Sequence, residues 1–286
     1  MQPALSASEQ FLARFHDADP GVTSRAFGGL AARMAGRAFA SSYECLAAVV
    51  PAGAGPTAVV DLACGDGFLL SLLAGRNQAG LSLAGVDISS GELDAARRRL
   101  GATAVLHQAR AQELPLPDGG ADVVLCHMAL MLMDDAPRVL AEARRVLKPG
   151  GVFCAVVGGG GAVLPAHELF VSLLRQFSKR PEFESLRLGD RRLHTAEGIA
   201  DLFGPGFGPV VIDKIVLEWR CDSDGLWSWF GKMYNLDWLD ASDRVQVERR
   251  FADAVVPLCD ADGQLEHRMV LRRISARRPV RNCAVP

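Results

Sequence analysis

Short apolar runs alternate with amphipathic segments through the middle of the chain. Runs of strand length lie at 57–62, 81–88, 104–109, 121–126 and 152–157. The segments between them carry apolar residues at helical spacing, as in FLLSLLAGR and GELDAARRRL. Because parallel neighbours need a crossover connection, this alternation predicts parallel strand pairing. The pattern therefore predicts an α/β fold in which a doubly wound sheet has helices on both faces.

The alternation of strand and helix patterns is confined to this region, and the sequence on either side of it differs. Apolar residues at helical spacing run from Ser6 to about Pro51, which predicts an N-terminal helical arm. After the glycine run Gly158–Gly161, further helical stretches predict a cap. Strand-like stretches follow at 209–219 and 266–278, and we expect both to join the same sheet, one of them antiparallel.

Together these elements predict a mainly parallel sheet of seven strands. The expected organisation is an arm or lid at 1–55, a cofactor-binding core at 56–160, and cap helices with the last two strands at 161–286.

Composition and charge narrow the class of protein. The formal net charge is −2, which argues against a partner held through nucleic-acid phosphates. The seven cysteines are widely spaced without a CxxC pair, which favours reduced thiols and a cytoplasmic protein. We see no N-terminal signal sequence and no apolar run of membrane-spanning length, so we expect no membrane partner.

Candidate chemistry first appears in the stretch VVDLACGDG at residues 59–67. Asp61 ends an apolar strand, and Ala63, Gly65 and Gly67 then allow the backbone to approach a ligand closely. Ligands of open α/β sheets bind beyond the carboxyl ends of the strands. Asp87 ends the next predicted strand, where a carboxylate can accept ribose hydroxyls. The two strand ends predict a site for a nucleoside-bearing cofactor.

The glycine pattern separates two kinds of cofactor. A dinucleotide fingerprint requires GxGxxG, whereas the residues from Gly65 read Gly-Asp-Gly-Phe-Leu-Leu and lack the third glycine. The carboxylate of Asp61 also suits an amino-acid ammonium group better than a pyrophosphate. We therefore expect a cofactor other than NAD.

These motifs resemble the class I S-adenosylmethionine-dependent methyltransferases. VVDLACGDG is similar to their first motif, GVDIS to the acid after their second strand, and RVLKPGGVF to the stretch before their fifth strand. The resemblance covers roughly residues 55–160 and is nearest to the ubiquinone/menaquinone-type and natural-product members. It implies S-adenosyl-L-methionine as the cofactor and methyl transfer to an O, N or C atom of a small molecule. The large cap favours secondary metabolism.

The resemblance also implies a set of cofactor-binding residues. They are Asp61, Ala63, Gly65, Gly67, Asp87, Ile88, Ala111, Gln112, Cys126 and Tyr43. One departure concerns the adenine, because Arg110 stands where the family often has an acid. The adenine amino group is then held by the backbone or by Gln112.

Four further residues are candidates for the acceptor side, each with a structural alternative. His127 follows the fourth strand and is either a general base or a core histidine. Tyr43 either contacts cofactor or substrate through its hydroxyl or only packs. Trp227 and Tyr234 lie in an aromatic segment that either lines a substrate pocket or belongs to the core.

Other functions remain open from the sequence. A nucleic-acid or protein methyltransferase is one alternative, although the chain shows no basic face. A second is an S-adenosylmethionine-binding cyclase or sensor that does not transfer methyl groups. We expect no catalytic metal, because Asp134 and Asp135 fit a helix start and no matching ligands follow the fifth strand. The protein is expected to be a monomer or a homodimer.

Overall fold

A mixed β-sheet forms the centre of the protein. The computed structural model describes residues 4–53, 55–160, 164–204 and 206–280. Within these residues the strands are β1 (Ala32–Met34), β2 (Arg37–Phe39), β3 (Thr57–Leu62), β4 (Leu81–Asp87), β5 (Val105–Gln108), β6 (Ala121–His127), β7 (Leu147–Gly158), β8 (Val211–Asp222) and β9 (Gln264–Arg277). Their order across the sheet is β2-β1-β8-β9-β7-β6-β3-β4-β5.

Helices cover both faces of this sheet. They are α1 (Ala7–Ala18), α2 (Val22–Phe27), α3 (Ser42–Ala47), α4 (Phe68–Ala74), α5 (Ser90–Leu100), α6 (Ala136–Val146), α7 (Pro165–Leu174), α8 (Ala196–Phe203), α9 (Ser223–Phe230) and α10 (Ala241–Val255). Among these described helices, none is long and apolar enough to cross a membrane.

The parallel half of the sheet confirms the predicted α/β fold. Strands β5, β4, β3, β6 and β7 pair in parallel in that order, with α4, α5 and α6 as crossovers. Strand β3 has the predicted bounds, and its last four residues are buried, as expected of a strand covered on both faces. The carboxyl ends of β3, β4 and β6 therefore meet at one edge of the sheet.

The antiparallel half departs from the predicted seven strands. Strand β9 is antiparallel to β7, and β8 is antiparallel to β9, as expected for the last pair. The arm, predicted to be helical throughout, contributes the hairpin β1–β2, and β1 pairs with β8. The described sheet thus has nine strands. Three-residue strands are too short to produce a readable alternation, which is why the pattern missed them.

The turn of the β1–β2 hairpin lacks the usual sequence signal. Ala35 and Gly36 connect β1 to β2 with positive φ angles of 48° and 76°, the conformation of a two-residue hairpin turn. Such turns usually contain Asn-Gly or Asp-Gly, so the pair Ala35-Gly36 is not recognised as a hairpin turn from the sequence. The glycines at 150 and 151, which precede the strand predicted at 152–157, lie inside β7. There Gly150 donates a hydrogen bond to the carbonyl of Arg278 at 2.9 Å.

Two apolar cores lie on opposite faces of the sheet. One packs α3, α4 and the cap helices α7, α9 and α10 against the sheet, with Phe170, Phe230 and Phe251 fully buried. The other packs α6 and α8 around Phe153 and Phe203. The cap helices are therefore part of the main core of the protein.

Candidate functional site

A cavity opens at the carboxyl ends of the parallel strands. It lies between the turns that follow β3, β4 and β6, the segment after β5, and the arm helices α1 and α2. Its place in the sheet is the one at which open α/β folds bind their ligands.

The turn after β3 is built from residues with positive φ angles. Gly65 and Gly67 have φ values of 53° and 76°, and Ala63 has 58° despite its side chain. A Cβ on Gly67 would lie 2.7 Å from Cδ1 of Leu100, so a side chain there would collide with α5. The tight turn brings the backbone of residues 63–66 to the cavity wall, where a ligand can approach it closely.

Asp61 places an uncompensated carboxyl group at this turn. Its side chain is 2% exposed, and its Oδ1 has no hydrogen-bond partner among the described residues. Burial, with the nearby carboxylates of Asp87 and Asp66, raises its pKa well above the usual value. A buried acceptor without a partner is costly. The site is therefore prepared for a ligand that brings a positive hydrogen-bond donor.

Asp87 lies beside it at the end of β4. It accepts hydrogen bonds from the N–H of Gly65 at 2.8 Å and of Ser89 at 2.9 Å. Burial raises its pKa although these bonds and the charge of His16 oppose the increase. Each carboxylate oxygen has a second lone pair, so Asp87 can still accept two hydroxyl donors such as a ribose diol.

The segment after β5 carries Gln112 into the cavity wall. Its amide nitrogen donates to the carbonyl of Asp134 at 2.7 Å, which leaves the side-chain oxygen as an acceptor. Arg110 turns to the arm and forms an ion pair with Glu9 at 2.8 Å. Gln112, Ala111 and Ile88 all line the cavity.

His127 reaches the cavity wall in a stacked arrangement. Its ring lies 3.6 Å from the ring of Tyr43 at 18°, and its Nε2 lies 2.9 Å from Oγ of Ser42. Burial lowers its pKa to about 3, so the ring is neutral at pH 7. Burial also raises the pKa of the Tyr43 hydroxyl well above its usual value. Both groups line the cavity as uncharged side chains.

Four predicted site residues lie elsewhere. Gly67 and Cys126 are absent from the described cavity wall: Gly67 packs against α5, and Cys126 is fully buried in the core around Phe153. Trp227 packs on Phe170, with ring centroids 6.2 Å apart. Tyr234 packs on Trp238 in a small cluster beside α1. The alternation along β6 turns Cys126 and His127 to opposite faces, so only His127 reaches the cavity wall.

Several further polar residues of the cavity wall are not recognisable from the sequence. They are Glu9, His16, Ser24, Asp66, Glu92 and Asp134. Glu92 follows the strand-end acid at the N-cap spacing SSGE, which marks only a helix start. Residues of the arm carry no signal that ties them to a sheet edge far along the chain.

The glycine run at 158–161 lies partly outside the described residues. Gly158 ends β7, and Gly159 donates to the carbonyl of Val270 at 2.9 Å; Gly161 lies outside the described residues. Within the described ranges, no three His, Cys, Asp or Glu side chains are arranged to hold a metal ion. The six cysteines in those ranges are free thiols, and Cys283 lies outside them.

Known proteins with similar sequences share this core. Residues 60–155 match the family model described as a methyltransferase domain. Demethylmenaquinone methyltransferase of Symbiobacterium thermophilum is 40% identical over 100 residues, which cover 33% of this chain and 40% of that protein. Ubiquinone/menaquinone biosynthesis C-methyltransferase UbiE of Desulfotalea psychrophila is 32% identical over 171 residues, which cover 56% of this chain and 69% of that protein.

A solved structure extends the likeness to the whole fold. The [4+2]-cyclase SpnF superposes with a TM-score of 0.57 at 18% identity, covering 97% of this chain and 98% of that one. At this identity the likeness shows the fold alone.

The sequence matches and the cavity together define the class of protein. The chain belongs to the class I S-adenosylmethionine-dependent methyltransferases. It spans 40% of the first of these relatives and about two thirds of the second. The cofactor of this family is S-adenosylmethionine, and the residues present fit it. The unpaired Asp61 suits its ammonium group, and Asp87 suits its ribose hydroxyls.

Proposed function

We propose that the protein transfers the methyl group of S-adenosylmethionine to a small-molecule acceptor. The observation that carries this proposal is the buried carboxyl group of Asp61 without a partner, beside Asp87 in a cavity at the strand ends. When bound, the cofactor supplies an activated methyl group for in-line displacement. The chain contributes binding and approach geometry, which alone can account for a large part of such a rate.

The charge of the cavity wall favours a particular class of acceptor. Six carboxyl side chains line it, whereas the described lining contains no Lys or Arg. His16 of this lining is already paired with Glu92, so a carboxylate or phosphate acceptor would meet like charges there without a free cation. We therefore propose a neutral ring compound or an amine. The quinone substrates in the names of both relatives support the neutral form.

His127 and Tyr43, the two aromatic side chains stacked at the cavity wall, are poor proton acceptors. His127 has a pKa of about 3 and is hydrogen-bonded to Ser42, and Tyr43 keeps its proton. His127 as a general base stays a prediction, and this geometry favours a role in orienting the acceptor. An acceptor that is already an amine or an enol needs no strong base. Secondary metabolism and a cytoplasmic location also remain predictions.

Calorimetry provides the first test. We expect the protein to bind S-adenosylhomocysteine in preference to NAD, and Asp61→Asn to lose most of this affinity. Asp94→Asn is the matched control because Asp94 is an exposed carboxylate on α5, paired with Arg97. NAD binding tighter than S-adenosylhomocysteine would overturn the cofactor assignment.

A second test concerns transfer. We expect S-adenosylhomocysteine to be released when the protein is incubated with labelled cofactor and a panel of neutral quinols, phenols and amines. Methylation of carboxylic acids alone would contradict the charge argument.

A second candidate function is cofactor binding without methyl transfer. A chain of the same fold is described as a [4+2]-cyclase, and the described cavity wall holds no strong base. Its signature is a cofactor-dependent rearrangement of the substrate without release of S-adenosylhomocysteine. Net charge and the acidic wall weigh against a nucleic-acid methyltransferase.

A further inference from the structure

The end of helix α1 lies on the turn that carries Asp87. Oδ1 of Asp17 accepts a hydrogen bond from Oγ of Ser89 at 2.6 Å and from the N–H of Gly91 at 2.8 Å. Ser89 in turn donates its own N–H to Asp87 at 2.9 Å. A Cβ on Gly91 would lie 3.0 Å from Cα of Asp17, so the two segments are in close contact. The arm thus supports the ribose-binding carboxylate through one intervening residue.

A second pair of contacts joins the arm to α5. Glu92 is 2% exposed, and its Oε1 lies 2.9 Å from Nδ1 of His16. Its Oε2 accepts the N–H of Gly21 at 2.8 Å. Both His16 and Glu92 line the cavity. One carboxylate therefore holds two points of the arm over the site.

The surroundings of His16 favour its charged form. Burial lowers its pKa, but the hydrogen bond to Glu92 and the charges of Asp87, Glu92 and Asp17 outweigh burial and raise the pKa above 6.5. These groups face it from β4, α5 and its own helix. A charged His16 strengthens the contact with Glu92, because a hydrogen bond between opposite charges is stronger than a neutral one.

We propose that His16 and Asp17 are positioning residues that lock the arm onto the turn bearing Asp87, so that cofactor affinity depends on the arm and on the proton of His16. The inference rests on the proposed function, because it concerns the same cofactor site. Asp17 acts through Ser89 on the orientation of Asp87. His16 acts through Glu92 on the closure of the arm. Neither contact could be recognised from the sequence.

Substitution of Asp17 tests the first part. In calorimetry at pH 7 we expect Asp17→Ala to weaken S-adenosylhomocysteine binding by about tenfold, equivalent to about 1.4 kcal/mol. Asp17→Asn keeps an acceptor oxygen and should restore affinity to within about threefold of wild type. Asp19→Ala is the matched control, since Asp19 is exposed on the same arm and pairs with Arg25.

A double variant distinguishes positioning from general loosening. In an Asp87→Asn background, Asp17→Ala should change affinity by less than about twofold, since non-additivity marks residues that act through one another. Equal losses in both backgrounds would show that Asp17 acts independently of Asp87. Wild-type affinity in Asp17→Ala would also overturn the inference.

The pH dependence tests His16. The variant His16→Asn keeps a side-chain amide that can donate a hydrogen bond to Glu92, but this amide does not titrate. Because the His16 pKa is raised, the contact of charged His16 with Glu92 stabilises the closed arm fully at pH 6. This stabilisation of the arm is lost as the pH rises through the His16 pKa. The affinity of wild type relative to His16→Asn should therefore fall by at least threefold between pH 6 and 9. The titration of the ligand's own amino group cancels in this ratio.

The outcomes separate this inference from the proposed function. If wild type does not bind S-adenosylhomocysteine, the proposed function fails. If wild type binds and the ratio to His16→Asn is independent of pH, the part of the inference that concerns His16 fails and the function stands.

Discussion

Replacing Asp61 with Asn should stabilise the protein without its cofactor and weaken the binding of that cofactor. The carboxyl group is buried, lacks a described partner at Oδ1, and has a raised pKa. An amide of the same shape removes the cost of ionising it. We therefore expect a gain in the free energy of unfolding at pH 7, of about 1.4 kcal/mol for each unit by which folding raises the Asp61 pKa.

The dependence on pH follows from the direction of the pKa shift. A pKa that is higher in the folded than in the unfolded state means that ionisation opposes folding. The advantage of Asp61→Asn should be absent below about pH 3.8, the ordinary pKa of this group. It should grow as pH rises toward the raised pKa and then stay constant. Thermal unfolding at several pH values measures it.

The cofactor should reverse the ranking of the two proteins. A hydrogen bond to a charged group contributes about 1.5–3 kcal/mol, which corresponds to about 10- to 150-fold in affinity for S-adenosylhomocysteine. Saturating ligand should therefore raise the melting temperature of wild type more than that of Asp61→Asn. A variant that is less stable than wild type without ligand, and binds equally well, would refute the assignment of Asp61 to the ammonium group.

Three further predictions concern the residues around the site. His127→Gln should lower turnover less than tenfold, and the wild-type rate between pH 5 and 8 should show no step from His127, whose pKa is about 3; a step abolished by the variant would restore the general base. Trp227→Ala should lower the free energy of unfolding in urea by about 2–4 kcal/mol while S-adenosylhomocysteine affinity stays within twofold, because Trp227 packs in the cap; a loss of affinity at unchanged stability would place it in the pocket. Gly67→Ala should cost about 1–3 kcal/mol in the same urea experiment, because its φ is 76° and a Cβ would lie 2.7 Å from Leu100; an unchanged midpoint would contradict the collision.

The parallel core could be predicted from the sequence because its signals are local. The strands from 57 to 157 are short and mainly apolar, and two of them carry a carboxylate at or next to their last residue, Asp61 and Asp87. Strand ends at one sheet edge follow from parallel pairing alone. The same reasoning therefore predicts the parallel fold and the two carboxylates of the proposed cofactor site.

The arm and cap could not be predicted in this way because their contacts are long-range. Glu9, His16 and Glu92 reach the cavity through pairings across more than seventy residues, such as His16 with Glu92. Trp227 and Tyr234 lie in one aromatic stretch of the sequence, which fits a pocket or a core equally well. In the structure Trp227 packs on Phe170 and Tyr234 packs on Trp238, in separate clusters.

The strand pairing of the arm limits how this protein can be recombined with its relatives. Strand β1 is hydrogen-bonded to β8, so residues after about 31 belong to the sheet, whereas the segment before them rests on the site through side-chain contacts. Gly28 and Gly29 lie between the two parts. A chimera joined at these glycines would exchange the arm helices α1 and α2 and leave every described sheet hydrogen bond intact. A junction within 32–39 would instead cut an edge ladder and expose the flank of β8.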